Sequence, residues 1–217
     1  MSNCSLQNAD RIRDYLDESG IRYAFDEEQC AFFLTHSLKG KARFVWQRID
    51  VHDDYFVSLV YFPVPGDAKD EKQMTELNRF VNLVNYRLYR CNIELDNGDG
   101  ELRFKTCILC DEIELSDQLI RDAIAIPLIT VSRYAQGLLE VILTDAPAAE
   151  AYGKCFDALR RDQRETSSDS DEEDAHHALL LRLLDALVRD DVQAGDGDID
   201  VGDEDSESEF DPDEEAE

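Results

Sequence analysis

Basic residues are scarce: 22 Lys and Arg stand against 50 Asp and Glu in 217 residues, a formal net charge of −28. Nucleic-acid binders cluster Lys and Arg to release counterions, and anionic membranes select for the same residues, so this deficit argues against both kinds of partner. Long hydrophobic runs are missing as well. The longest, Ala123 to Val131, is interrupted by Pro127 and Thr130 and falls short of the roughly 20 apolar residues a spanning helix needs. The opening Met1-Ser2-Asn3-Cys4-Ser5-Leu6 turns polar at once, without a basic stretch leading into an apolar one, so no signal peptide is expected. These absences predict a cytoplasmic protein whose six cysteines are reduced thiols. There is no phosphate-binding glycine loop, dinucleotide glycine motif or nucleophile elbow, which removes the commonest catalytic signatures.

What is present is unevenly distributed. Residues 1–150 carry 16 basic and 26 acidic side chains, net −10, while 151–217 carry 6 and 24, net −18. The shorter part holds most of the charge, so the chain divides into a folded domain over 1–148, a helical extension or linker over 149–165, and an acidic tail over 166–217. A domain of this size buries enough surface to need no disulfide.

Asn8 is placed to cap a helix over 9–19, with Ile12, Tyr15 and Leu16 on one face and Gly20 at its left-handed end. Short β-rich segments follow: Ile21–Phe25, Cys30–Thr35, Arg43–Val51 and Tyr55–Phe62, the last two joined by His52-Asp53-Asp54. This order reads as an antiparallel meander. Tyr55–Phe62 is apolar at nearly every position, which predicts cover on both faces, by a helix on one side and by a second helix or the partner of a homodimer on the other. Pro63, Pro65 and Gly66 end the strand run, and Asp70 with Gln73 resembles a capping box opening a second helix. On that helix Met74, Leu77, Val81, Val84 and Leu88 form one apolar stripe. The Asn97-Gly98 and Asp99-Gly100 pairs join Cys91–Leu95 to Leu102–Cys110 as a β-hairpin. From a Ser116 cap, apolar residues keep helical spacing to about 143, with Pro127 expected to kink that long helix or divide it. The fold class is thus α+β: helix, meander, helix, hairpin, long C-terminal helix.

The asparagine-rich helix Leu77-Asn78-Arg79-Phe80-Val81-Asn82-Leu83-Val84-Asn85, the hairpin Ile93-Glu94-Leu95-Asp96 to Leu102-Arg103-Phe104, and the final helix ending Tyr134 to Leu143 resemble the YbjN family. The likeness covers about residues 8–145. It implies a type III secretion chaperone-like fold and a non-enzymatic, often dimeric, protein-binding or regulatory role.

Asn78, Asn82 and Asn85 stand at i, i+4 and i+7, within about 60° of one another around their helix. Asparagine is a poor helix-interior residue, so the three amides either satisfy a neighbouring loop or strand or bind the extended backbone of a protein partner. Cys107-Ile108-Leu109-Cys110 is a CxxC, but on a strand a separation of three puts the thiols on opposite faces. No second pair completes a metal set, so structural thiols are expected and no cofactor or metal. His36 and His52 fall near strand ends, and His176 and His177 splay apart around a helix. Asp196, Asp198, Asp200 and Glu207 follow an EF-hand-like count, yet Val201 stands where the loop requires glycine.

From 166 onward, 21 acidic residues against two arginines predict disorder. Within it a leucine-rich helix is expected at about 176–190, with Leu180, Leu183, Leu184 and Leu187 on one face. Such a helix either docks in a partner's groove or returns to its own domain. Two functional readings follow: a YbjN-like protein-binding or chaperone-like module, or a regulatory adapter acting through the acidic tail and its leucine-rich helix.

Overall fold

The computed structural model describes residues 4–38, 42–111 and 113–155. The expected leucine-rich helix with Leu180, Leu183, Leu184 and Leu187, His176, His177, the EF-hand-like run and the tail as a whole lie outside the described residues.

The elements run α1 (Leu6–Glu18), β1 (Tyr23–Asp26), β2 (Ala31–Ser37), β3 (Phe44–Val51), β4 (Tyr55–Tyr61), α2 (Glu71–Asn85), β5 (Asn92–Leu95), β6 (Leu102–Leu109) and α3 (Asp117–Thr144). Residues 148–155 add a further helical stretch. The class is α+β as the sequence predicts, and all six strands join one antiparallel sheet in the order β1-β2-β3-β4-β6-β5. The first four strands are the expected meander. The hairpin then inserts in reverse, so that β6 lies beside β4 and β5 becomes an edge.

The helices start and stop where local chemistry directs. Ser5, not Asn8, caps α1 by accepting from the Asn8 backbone N–H. Asn8 instead spends its side-chain amide on the carbonyls of His52 and Asp53. At the other end Gly20 takes φ +67 while Ile21 N–H reaches back to the Leu16 carbonyl, closing the helix as its sequence predicts. Asp70 caps α2 through the Lys72 and Gln73 amides. Gln73 does not reach back as in a capping box; it accepts from Asp67 N–H and donates to the Ile142 carbonyl, tying α2 to α3.

Pro127 does not divide α3, which continues from Asp117 to Thr144. Proline deprives the carbonyl four residues earlier of its donor, here Ala123. One residue on, the Ile124 carbonyl accepts from Gln47 Nε2 at 3.0 Å, so the sheet itself hydrogen-bonds the helix where its ladder is weakest. The same Nε2 donates to Ser58 Oγ at 2.7 Å, and Gln47 Oε1 lies 2.7 Å from His36 Nε2. Because a carbonyl only accepts, the amide nitrogen must face Ile124, and His36 is therefore the donor to Oε1. By length and composition α3 could cross a membrane, but its apolar residues are spent inside the fold: Ile120, Ala123, Leu128, Val131, Ala135, Leu138 and Val141 are all buried.

The core lies between this helical layer and one face of the sheet. Phe32 and Leu34 of β2, Val45, Ile49 and Val51 of β3, Phe56 and Val60 of β4, and Leu102 and Phe104 of β6 point inward with Leu77, Phe80 and Val84 of α2. Gly100 adopts φ +79 and its backbone approaches Gly66 so closely that a Cβ would strike it; the Gly66 N–H donates to the Gly100 carbonyl. This contact fastens the hairpin to the segment entering α2.

The expectation of six reduced thiols is corrected: Cys4 and Cys30 form a disulfide, while Cys91, Cys107, Cys110 and Cys155 are free. Sequence spacing gave no hint of it, because the two cysteines meet only when α1 folds back on the β1–β2 turn. Cys30 sits in that turn at φ +50.

Candidate functional site

The helices cover one side of the sheet, and strand alternation sends the other half of every strand outward. In register order the outer rows read Thr35, Trp46, Tyr61, Arg103, Glu94, then Phe33, Arg48, Leu59, Lys105, Asn92, and Ala31, Asp50, Val57, Cys107. Tyr55 pairs with Leu109 at one end and Ser37 with Phe44 at the other.

This face is apolar where exposed faces are usually polar. Phe44 is 65% exposed, Trp46 51% and Leu109 73%. Trp46 stacks on Tyr61 with ring centroids 4.4 Å apart, and the Arg48 guanidinium lies over the Phe33 ring at 5.5 Å. Arg48 also pairs with Asp50 at 2.6 Å. Beyond Tyr61, Arg103 and Lys105 of β6 both hold Glu94 of β5. Burial alone would raise the Glu94 carboxyl, but these two cations outweigh it and hold it below the usual range. Aromatic rings in the middle with paired charges around them match the composition of a protein interface, whose anchors are Trp, Tyr and Arg. The predicted cover of Tyr55–Phe62 is met on one side: Phe56, Ser58 and Val60 lie under the helices, while Val57, Leu59 and Tyr61 face the other way.

The three asparagines do not act together. Asn85 Nδ2 donates to the Ile93 carbonyl and its Oδ1 accepts from the Ile93 N–H, both at 2.8 Å. Those are edge groups of β5, so the side chain stands in for a missing neighbouring strand. Asn78 Nδ2 donates to the Met74 carbonyl and to Asn97 Oδ1 in the hairpin turn, each at 2.8 Å. Asn82 is exposed.

The thiols are poor nucleophiles. Burial pushes Cys91 up to about 11 and raises Cys107, Cys110 and Cys155 as well. The CxxC geometry is as predicted, with Cys107 exposed and Cys110 buried; Asn8 Nδ2 donates to Cys110 Sγ at 3.4 Å. Among the described residues no three His, Cys, Asp or Glu side chains converge as a metal site would require.

A six-stranded antiparallel sheet with one helical layer and one open aromatic face defines the class of this protein. Residues 8–140 match the YbjN family, described as "Putative bacterial sensory transduction regulator". The chain belongs to that family. No curated protein matches it in sequence. Among solved structures it is similar to a chain in "Structure of the HopA1-SchA Chaperone-Effector Complex", at 15% identity and TM-score 0.38, over 59% of this chain and 91% of that one.

The outer aromatic row escaped sequence reasoning. Phe44, Trp46 and Tyr61 each fit a strand's alternation, but which half of the alternation faces water depends on where α2 and α3 pack. The usable signal was a strand apolar on both faces, Tyr55–Phe62.

Proposed function

We propose that this chain is a non-enzymatic protein-binding module, chaperone-like or regulatory in kind, which holds an apolar segment of a partner protein against the open face of its sheet. The observation that carries this reading is the row of Phe44, Trp46 and Tyr61, left unburied beside a fully formed core. Contiguous exposed apolar surface of this kind marks interaction sites. Raised thiols and a carboxylate held ionised by two cations supply neither an activated nucleophile nor a base poised near neutrality, which favours binding over catalysis. The family's description as a regulator agrees with it.

Trp46 is the chain's one tryptophan and lies on the face in question, so its emission reports occupancy. Affinity capture from a lysate of the source cells, with the full chain and with a Phe44→Ser/Trp46→Ser variant, is the direct test. Both positions point outward, so the variant should lose only the Trp46–Tyr61 stack and strand preference, about 1–2 kcal/mol, and stay folded by circular dichroism. Loss of the captured protein in the variant is expected; equal capture sinks the proposal. A homodimer through the same face is a separate outcome. It would shift Trp46 emission to the blue with rising concentration and double the mass by light scattering.

The alternative, a regulatory adapter working through the acidic tail and Leu180, Leu183, Leu184 and Leu187, predicts that capture survives the sheet variant. The reading takes the cytoplasm as the location from the sequence. The Cys4–Cys30 disulfide bears against it, because such bonds persist mainly in oxidising compartments. Alkylation of acid-quenched cells, which reports the state of this pair, decides between them.

A further inference from the structure

Among the chain's asparagines only Asn97 precedes a glycine. That pairing has a chemistry of its own, because glycine has no Cβ to hinder its backbone nitrogen as it attacks the side-chain carbonyl carbon of the residue before it. The pair sits at the tip of the β5–β6 hairpin, where Asp96, Asn97, Gly98 and Asp99 are all exposed and water reaches both reacting groups. The turn itself calls for glycine at 98, since a Cβ there would lie 3.1 Å from Asp96 Oδ1.

The fold holds both reacting groups elsewhere. The Gly98 N–H donates to Asp96 Oδ1 at 2.7 Å. This bond occupies the proton that the nitrogen must lose, and it sets a carboxylate beside the anion that would form. On the other side, Asn97 Oδ1 accepts from Asn78 Nδ2 at 2.8 Å, and the same Nδ2 donates to the Met74 carbonyl of α2. The Asn97 side chain is thus moored to a helix that cannot follow it when Cγ swings onto the Gly98 nitrogen. Asn78, a poor residue for a helix interior, here has a task outside its own helix.

We propose that Asn97 is a site of spontaneous deamidation, and that Asp96 and Asn78 set its rate by restraining the nucleophile and the electrophile. The Gly98 nitrogen gives its proton to solvent base and bonds to Asn97 Cγ. The tetrahedral centre collapses, and the side-chain nitrogen takes a proton from water and leaves as ammonia. Water then opens the cyclic imide with no change of oxidation state: attack at the former side-chain carbonyl leaves aspartate at 97, and attack at the backbone carbonyl leaves isoaspartate, with a methylene added to the main chain. Either product adds a carboxylate to a hollow of about 460 Å³ that Asn97 lines with Glu94, Asp96, Glu101 and Arg103. Isoaspartate also lengthens the turn inside two backbone bonds of 2.9 Å, from Asp96 N–H to the Glu101 carbonyl and from Gly100 N–H to the Asp96 carbonyl. Those bonds place Gly100 against Gly66, so the reaction loosens the hairpin where it fastens to the segment entering α2.

The test incubates the full chain in mildly alkaline heavy-oxygen water and counts labelled aspartate and isoaspartate at position 97 by mass spectrometry after digestion. Asn78→Ala should deamidate about fivefold faster than wild type, and Asp96→Ala, which removes a bond to a charged acceptor, at least about tenfold faster. Wild type in urea, where both bonds are gone, should exceed either variant. Gln47→Leu, which weakens the fold away from the hairpin, should react at the wild-type rate. Either hairpin variant reacting no faster than wild type overturns the proposal, as does a slower Asn78→Ala, which would mean that Asn78 activates the carbonyl. An accelerated Gln47→Leu overturns it too, because global unfolding would then set the rate. So does a wild type that reacts as fast folded as in urea.

Discussion

Replacing Asn85 by alanine removes a side chain that makes both hydrogen bonds of one edge residue. Ile93 is 2% exposed, and its N–H and C=O point away from β6 toward α2, where Asn85 meets each at 2.8 Å. With the amide gone, both groups lose their partner at a site water reaches poorly. Leaving a buried polar group unsatisfied costs about 1–3 kcal/mol, so partial rehydration of the pair gives an expected loss of about 2–4 kcal/mol. Asn85→Asp keeps the acceptor for the Ile93 N–H but sets a carboxylate oxygen against the Ile93 carbonyl, acceptor to acceptor, so it should cost at least as much as alanine. The two other asparagines calibrate the reasoning. Asn78 is itself exposed and bonds the Met74 carbonyl of its own helix and the exposed Asn97, so it should cost about 0.5–1 kcal/mol as alanine, whereas exposed Asn82 should stay within about 0.5 kcal/mol. Urea unfolding followed by circular dichroism gives all four values, with an unchanged m-value required for comparison. An Asn85→Ala cost below about 0.5 kcal/mol, or a ranking that puts Asn82 first, would refute the edge-capping account. A secondary expectation is concentration-dependent association of Asn85→Ala, since an uncapped edge strand offers its backbone to another chain.

Three further outcomes follow from the interior. Reducing the Cys4–Cys30 disulfide, which joins residues 26 apart, should lower stability by about 3–4 kcal/mol from loop entropy; a Cys4→Ser/Cys30→Ser variant unfolding at the wild-type urea midpoint contradicts this. Burial raises Cys91 from the ordinary 9.0 to about 11, so the folded state holds the thiol neutral after the unfolded chain has begun to ionise. Stability is therefore complete below pH 9 and falls as pH rises toward 11, by roughly 2–3 kcal/mol. In the Cys4→Ser/Cys30→Ser background, where disulfide exchange is absent, Cys91→Ala should remove that share of the alkaline loss and leave the shares of Cys107, Cys110 and Cys155, and parallel curves would count against it. Gln47→Leu removes the side-chain donor to the Ile124 carbonyl and the acceptor of the His36 N–H; a loss of about 1–3 kcal/mol is expected, and a neutral result by thermal unfolding would mean that α3 does not lean on the sheet at Pro127.

Local chemistry made most elements legible. Gly20, Asp70, Ser116 and the Asn97–Gly100 turn each carry a backbone requirement that neighbours a few residues away determine, and each stands where the sequence places it. The shift of the first cap from Asn8 to Ser5 shows the limit: two capping residues three apart compete, and Asn8 was claimed by carbonyls 44 and 45 residues distant. Features that depend on distant pairing were not legible. The insertion of β6 between β4 and β5, the meeting of Cys4 with Cys30, and the engagement of Asn85 with Ile93 all require the assembled sheet. The three asparagines were correctly singled out as unusual for a helix, and one of them does grip extended backbone, but that backbone is the chain's own β5.

The one-sided helical layer has a consequence for how this fold can change. Along β3 and β4, Phe44, Trp46, Arg48, Val57, Leu59 and Tyr61 face outward while Val45, Gln47, Ile49, Phe56, Ser58 and Val60 face the helices. No outward position contributes to the jigsaw beneath, so the two sets can vary almost independently. The outer row can be rewritten residue by residue, altering what adheres to it, without a compensating change in the interior. Such a sheet behaves as a blank plate carried on a fixed frame.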